Sequence, residues 1–194
     1  VIFEEEGNEY FIGVLDLHRS DVHLSLKRYW EAHALAIQAK TRFESPGIPP
    51  RRTPSLILLG RIALALNDPE PAQKHTDEIF AIIEQTNVPL MLFPCYVLSA
   101  QIAERNGDIQ EAARLYELAA EDLEVHQSRL QHDDLRVTFL QGKNQVYESL
   151  VWISLGNGEL ALAYSWCERA KSRGLIELLS HHLPSIQVQG GRSL

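Results

Sequence analysis

Cysteine is scarce in this sequence: the 194 residues include two, Cys95 and Cys167. A disulfide-stapled scaffold needs more cysteines in a shorter chain, so none is expected. Both lie in apolar, helix-like segments, where a free cysteine normally serves as core filler. That usage suits a reducing cytoplasm, and the lack of any Asn-x-Ser/Thr acceptor agrees with it. Long apolar runs are missing as well. The best stretch, Ser55 to Leu66, is interrupted by Arg61 and is too short to cross a bilayer, so no membrane partner is expected. The opening Val1-Ile2-Phe3-Glu4-Glu5-Glu6 has neither the basic start nor the apolar centre of a signal peptide. A basic excess is also lacking. The net charge of −8 argues against strong contact with nucleic acid, which needs a clustered positive surface. Only two short basic spots stand out, Arg51-Arg52 and Arg169 to Arg173. Starting at Val1 rather than Met, the chain is expected to be a piece of a longer polypeptide.

Patterns that carry chemistry are equally sparse. Gln141-Gly142-Lys143-Asn144 lacks the upstream glycine and the following hydroxyl residue of a phosphate loop. There is no Gly-x-Ser-x-Gly and no paired-cysteine metal motif. His181 and His182 are adjacent, and neighbours on a helix diverge by about 100°, which makes a poor chelate. No catalytic residue, cofactor or metal site is expected, and hence no enzyme activity from this chain.

What the sequence does contain is helical periodicity. Ala112, Tyr116, Ala119 and Leu123 step by 4, 3 and 4; Leu160, Ala163, Cys167 and Ala170 step by 3, 4 and 3. Such steps keep residues on one helical face, and strict alternation is missing. Prolines and glycines fall between these segments: Phe43 to Ser55 reads as a loop, Asn87-Val88-Pro89 as a break, and Pro94 as the start of a helix. A twelve-residue pairing of small residues recurs at Gly13 and Ser25, Gly60 and Ala72, Ala100 and Ala112, and Val151 and Ala163. Each pair brackets a polar turn: Arg19-Ser20-Asp21, Asn67-Asp68-Pro69, Asn106-Gly107-Asp108 and Asn157-Gly158-Glu159. Small residues on facing sides let two antiparallel helices approach near their turn.

This pattern resembles tetratricopeptide (TPR) repeats, best over Tyr96 to Leu123. The intervals of 47, 40 and 51 residues between first members exceed the family's usual 34. The resemblance implies an all-α fold: a TPR-like right-handed α-solenoid of about four antiparallel helix pairs. The domain is expected to cover 1–183, with pairs near 7–43, 55–86, 90–131 and 133–182. Residues 184–194 are expected to be a flexible tail or linker. A narrower likeness covers Glu121 to Leu183, above all Ala163-Tyr164-Ser165-Trp166-Cys167-Glu168-Arg169-Ala170-Lys171-Ser172-Arg173 followed by Leu175-Ile176-Glu177-Leu178-Leu179. It is similar to the repeats that precede the caspase-like domain of CHAT proteins. That family's catalytic Cys and His lie in the domain after the repeats, so neither cysteine here inherits a nucleophilic role.

The resemblance implies a non-catalytic protein–protein interaction and regulatory module that senses a partner and controls an adjacent CHAT peptidase domain. First helices line the concave face of a TPR array, so helical phase selects Arg61, Gln101, Glu104, Arg105, Gln145, Glu148 and Trp152 as candidate groove residues for a protein or peptide partner. Arg169, Lys171 and Arg173 form a second candidate face, for the peptidase domain or for self-association through the C-terminal helix. The same basic group also reads as a solvated helix end. Two other readings stay open. One is the sensor array of a signalling ATPase or transcription activator, whose repeats run near 40 residues. The other is a stand-alone scaffold or co-chaperone.

Overall fold

The computed structural model describes residues 9–44, 49–86, 92–129 and 144–182, with backbone alone for 49–50, 126–129 and 172–182. Among the described residues all regular structure is helical, with no strand. The helices are α1 (Glu9–Ser25), α2 (Tyr29–Phe43), α3 (Thr53–Ala65), α4 (Pro69–Thr86), α5 (Leu92–Arg105), α6 (Ile109–Arg129), α7 (Gln145–Gly156) and α8 (Leu160–His182). A 3₁₀ turn, Pro49–Arg52, leads directly into α3. The expected loop over Phe43 to Ser55 is therefore shorter than its four prolines suggested: Pro54 sits in the first helical turn, where its missing N–H costs nothing. Two compact units divide the chain, Val1–Asp122 and Leu123–Leu194.

Four turns share one hydrogen-bond pattern. Asn67 N–H donates to the Leu64 carbonyl at 3.0 Å, and Asp68 N–H reaches back to Ala63 at 2.9 Å. Lys27 and Arg28, Gly107 and Asp108, and Gly158 and Glu159 repeat these bonds at equivalent places. The residue at the corner has positive φ each time: Lys27 (60°), Asn67 (61°), Gly107 (79°) and Gly158 (78°). This left-handed corner returns the last carbonyls of one helix to hydrogen bonds and reverses the chain into the next.

These corners fix the repeat frame and correct the first pairing. Arg19, Ser20 and Asp21 lie inside α1, and the turn comes at Leu26-Lys27-Arg28. Counting seven back and five forward from each corner gives Ser20 and Ala32, Gly60 and Ala72, Ala100 and Ala112, Val151 and Ala163. Seven of the eight are buried, and Val151 is half-buried. Ser20 Oγ donates to the Ala32 carbonyl at 2.7 Å, directly linking α1 to α2. Ser25 Oγ instead donates to the Asp21 carbonyl of its own helix, on the surface. Gly13 is small for another reason: a Cβ there would lie 2.8 Å from the Phe43 ring at the far end of α2. The first intervals become 40 and 40 residues, Ser20 to Gly60 to Ala100.

Within the first unit α1 packs on α2 and on α3, α3 on α4 and on α5, and each of α2 and α4 on the helix that follows it. Leu58, Leu59 and Ile62 of α3 share a core with Ala32 and Ala36 of α2. Leu98 and Ile102 of α5 repeat this against Ala63, Leu64 and Ala72, with Cys95 against Ile79 and Ile82. In the second unit α7 buries Val146, Tyr147 and Leu150, and α8 adds Ala163 and Trp166. The Tyr147 and Trp166 rings stand 6.3 Å apart at 50°. No described helix is long and apolar enough to cross a membrane.

Candidate functional site

In the repeat frame, Arg61, Gln101 and Trp152 occupy one position, directly after the small residue of the first helix; Asp21 is its counterpart in α1. Their helices bury the opposite face, so this position meets solvent: Asp21, Arg61 and Trp152 are exposed and Gln101 is half-buried. In the first unit two side-chain hydrogen bonds join neighbouring helix pairs. Arg61 Nη1 donates to Asp21 Oδ1 at 2.9 Å, and Arg105 Nη1 donates to Asn67 Oδ1 at 2.7 Å. Both bonds span from one helix pair to the next. The Arg61 pair is about half exposed on each side, so it contributes at most about 1 kcal/mol and remains open to exchange for another carboxylate.

Glu104 has a different place. Its Oε2 accepts a hydrogen bond from Tyr116 Oη at 2.8 Å, holding α5 to α6. The tyrosine ring is buried, so the carboxylate gives its phenol the acceptor that burial demands. In the second unit Gln145, Glu148 and Trp152 lie on α7, all exposed, with Trp152 71% accessible. An indole that open presents a flat apolar surface beside polar groups, the combination enriched at binding hot spots.

The basic group on α8 separates into distinct roles. Arg169 donates to Glu124 Oε1 from Nε at 3.1 Å and from Nη2 at 2.6 Å. Its guanidinium also lies 4.1 Å from the centre of the Trp166 ring. Glu124 accepts in addition from Tyr147 Oη at 3.2 Å. One carboxylate on α6 thus gathers α7 and α8, which gives Arg169 a structural task. Lys171 is exposed and donates to Glu168 Oε1 at 2.9 Å one turn back, a contact that raises its pKa. The side chains of Arg173, Leu175, Ile176, Leu178 and Leu179 lie outside the described residues, as do 133–143 of the expected fourth pair and the expected tail 184–194.

A recess of about 560 Å³ between α4, α5 and α6 was not singled out from the sequence. Phe80, Tyr96 and Leu115 line its apolar part, and Gln73, Glu111 and Arg114 its polar part. Its only visible sequence signal is the aromatic pair Phe80 and Tyr96, whose rings lie 5.9 Å apart; the recess itself depends on the relative phase of three helices.

Cys95 brings no nucleophile to these surfaces. Cys95 is fully buried, and burial pushes its pKa up to about 12, with Asp122 adding to the shift; a neutral thiol is a poor nucleophile. Among the described residues no three His, Cys, Asp or Glu side chains gather as a metal site would require. What the first-helix edges present is guanidinium, amide, carboxylate and indole groups. Compared with protein families and with curated proteins, the chain matches no family model and no curated sequence.

Proposed function

We propose that the chain is a non-catalytic protein–protein interaction and regulatory module of the TPR type, a right-handed α-solenoid whose first helices receive a protein or peptide segment. One observation carries the reading. Four helix pairs share the corner, the small-residue pairing and the solvent-facing position held by Asp21, Arg61, half-buried Gln101 and Trp152. Repeated helix pairs that present polar and aromatic side chains at one frame position suit the recognition of extended segments. The regulatory half rests on the likeness of Glu121 to Leu183 to CHAT-protein repeats: binding would shift an adjacent caspase-like peptidase between resting and active states.

The corrected 40-residue interval between the first three repeats favours a second reading, the sensor array of a signalling ATPase or transcription activator. Sequencing the complete gene product separates the two. A caspase-like domain after residue 194 supports the first reading, and its cleavage of a fluorogenic peptide should then change when Trp152→Ala is introduced. A nucleotide-binding domain ahead of residue 1, with no peptidase domain, overturns it in favour of the second.

A further inference from the structure

The repeat frame exposes a mismatch between α1 and the helices that correspond to it. In α3 one stripe, Ser55, Leu58, Ile62 and Leu66, faces the preceding pair: Leu58 and Ile62 pack on Ala32 and Ala36 of α2, with Leu66 beside them. In α5 the same frame positions are Cys95, Leu98 and Ile102, packed on α4 through Ala72, Ile79 and Ile82, with exposed Asn106 as the fourth. Forty residues earlier these positions are Leu15, His18, Val22 and Leu26. Steps of 3, 4 and 4 place them on one helical face.

That face of α1 is open. Leu15 is 46% accessible, Val22 58% and Leu26 59%, and His18 is exposed, whereas Leu58, Ile62, Leu98 and Ile102 are at most 4% accessible. The opposite face of α1, with Ile12, Asp16 and Ser20, is buried. So α3 is covered on two sides and α1 on one, although both carry aliphatic residues on both. The outward stripe of α4, by contrast, is charged, with Glu70, Lys74 and Asp77 exposed. Three large aliphatic side chains aligned in water instead mark a contact surface.

We propose that this face of α1 docks the second helix of a further helix pair of the same repeat. The incoming helix carries small residues where α2 carries Ala32 and Ala36, because branched side chains of the receiving stripe need hollows of that size. His18 stands where α3 and α5 place leucine, so the incoming helix also meets an imidazole there and must offer it a polar group. The inference rests on the repeat reading above, and is independent of which domain the module controls.

The test extends the full chain by one repeat. A second copy of residues 47–86 inserted between Glu6 and Gly7 places its Ala72 as far before Ser20 as Ala72 stands before Ala100. Val22→Lys with Leu26→Lys is then placed in both the original and the extended chain. In the original chain, where both sites face water, the double substitution should move Tm by about 2 °C or less. In the extended chain it should lower Tm by more than about 6 °C, since the ammonium at position 22 would be buried without a partner and the one at position 26 would lose part of its hydration. Amides of residues 15–26 should exchange more slowly in the extended chain. Equal Tm changes in the two chains, or unchanged exchange, would overturn the proposal. So would a concentration-dependent dimer of the original chain that dissociates on the double substitution, because the face would then take a second copy in a symmetric contact. Leu58→Lys in the original chain is the control for the frame: strong destabilisation is expected, and a neutral result would sink the repeat reading together with the docking face.

Discussion

Gly60 offers a test in which one substitution should change sign with its background. It lies inside α3, where glycine is a poor helix former and Gly→Ala normally stabilises by about 1 kcal/mol. Here a Cβ would lie 2.5 Å from Leu98 Cδ2 and 3.3 Å from Cδ1. Leu98 is enclosed by Ala63, Leu64, Ala72 and Ile102, so its methyl groups have little room to retreat. Overpacking of that kind costs about 1–3 kcal/mol. Gly60→Ala should therefore be destabilising by up to about 2 kcal/mol once the helix gain of about 1 kcal/mol is subtracted. Leu98→Ala alone should cost about 2–5 kcal/mol as a buried truncation. In that background the clash is gone, and Gly60→Ala should recover its favourable effect of about 1 kcal/mol. Urea denaturation of the four proteins, with slopes unchanged, gives the coupling directly. If Gly60→Ala were equally stabilising in both backgrounds, the close packing of α5 on α3 would be wrong.

Ala112→Leu should lower stability by about 1–3 kcal/mol, because Ala112 is fully buried; an unchanged denaturation midpoint would contradict the packing of α6. The left-handed corners predict opposite effects: Gly107→Ala should cost about 1 kcal/mol through backbone strain alone, since no atom lies within 4 Å of the added Cβ, while Lys27→Gly should be stabilising in the same denaturation assay. Cys95 should resist alkylation at pH 8 until the chain unfolds, as burial raises its pKa to about 12; mass-mapped modification of Cys95 in the native protein would refute its core placement.

The all-α class was legible because apolar residues recur at helical steps and proline and glycine fall mostly between helices. Three corners were legible because Asn67, Gly107 and Gly158 belong to residue types that tolerate positive φ. The first was not. Lys27 conceals a left-handed corner, while Gly13 and Ser25 imitate the small-residue pairing seven residues too early. A shift of seven is nearly two helical turns and preserves the face, so periodicity alone could not expose the error. The neighbour that keeps Gly60 small, Leu98, comes from the next helix pair and could not be read locally. At the candidate surfaces, helical phase selected Arg61, Gln101 and Trp152, which share a frame position. Phase could not distinguish them from Glu104, whose carboxylate meets a tyrosine on the partner helix, or separate Arg169 from Lys171. The Arg169 partner, Glu124, lies 45 residues away in sequence.

The central claim is that the exposed edges of the first helices recognise a protein segment. Its most direct measurement is calorimetric titration of peptides selected from a displayed random library against the chain. Arg61→Glu should weaken peptides held by the first unit about tenfold or more, and Trp152→Ala those held by the second, as loss of a hot-spot residue does. Trp30→Ala is the control: Trp30 is 74% accessible but lies on α2, a second helix, and its removal should leave affinity unchanged. Peptides that lose binding with Trp30→Ala but not with Arg61→Glu or Trp152→Ala would contradict the account.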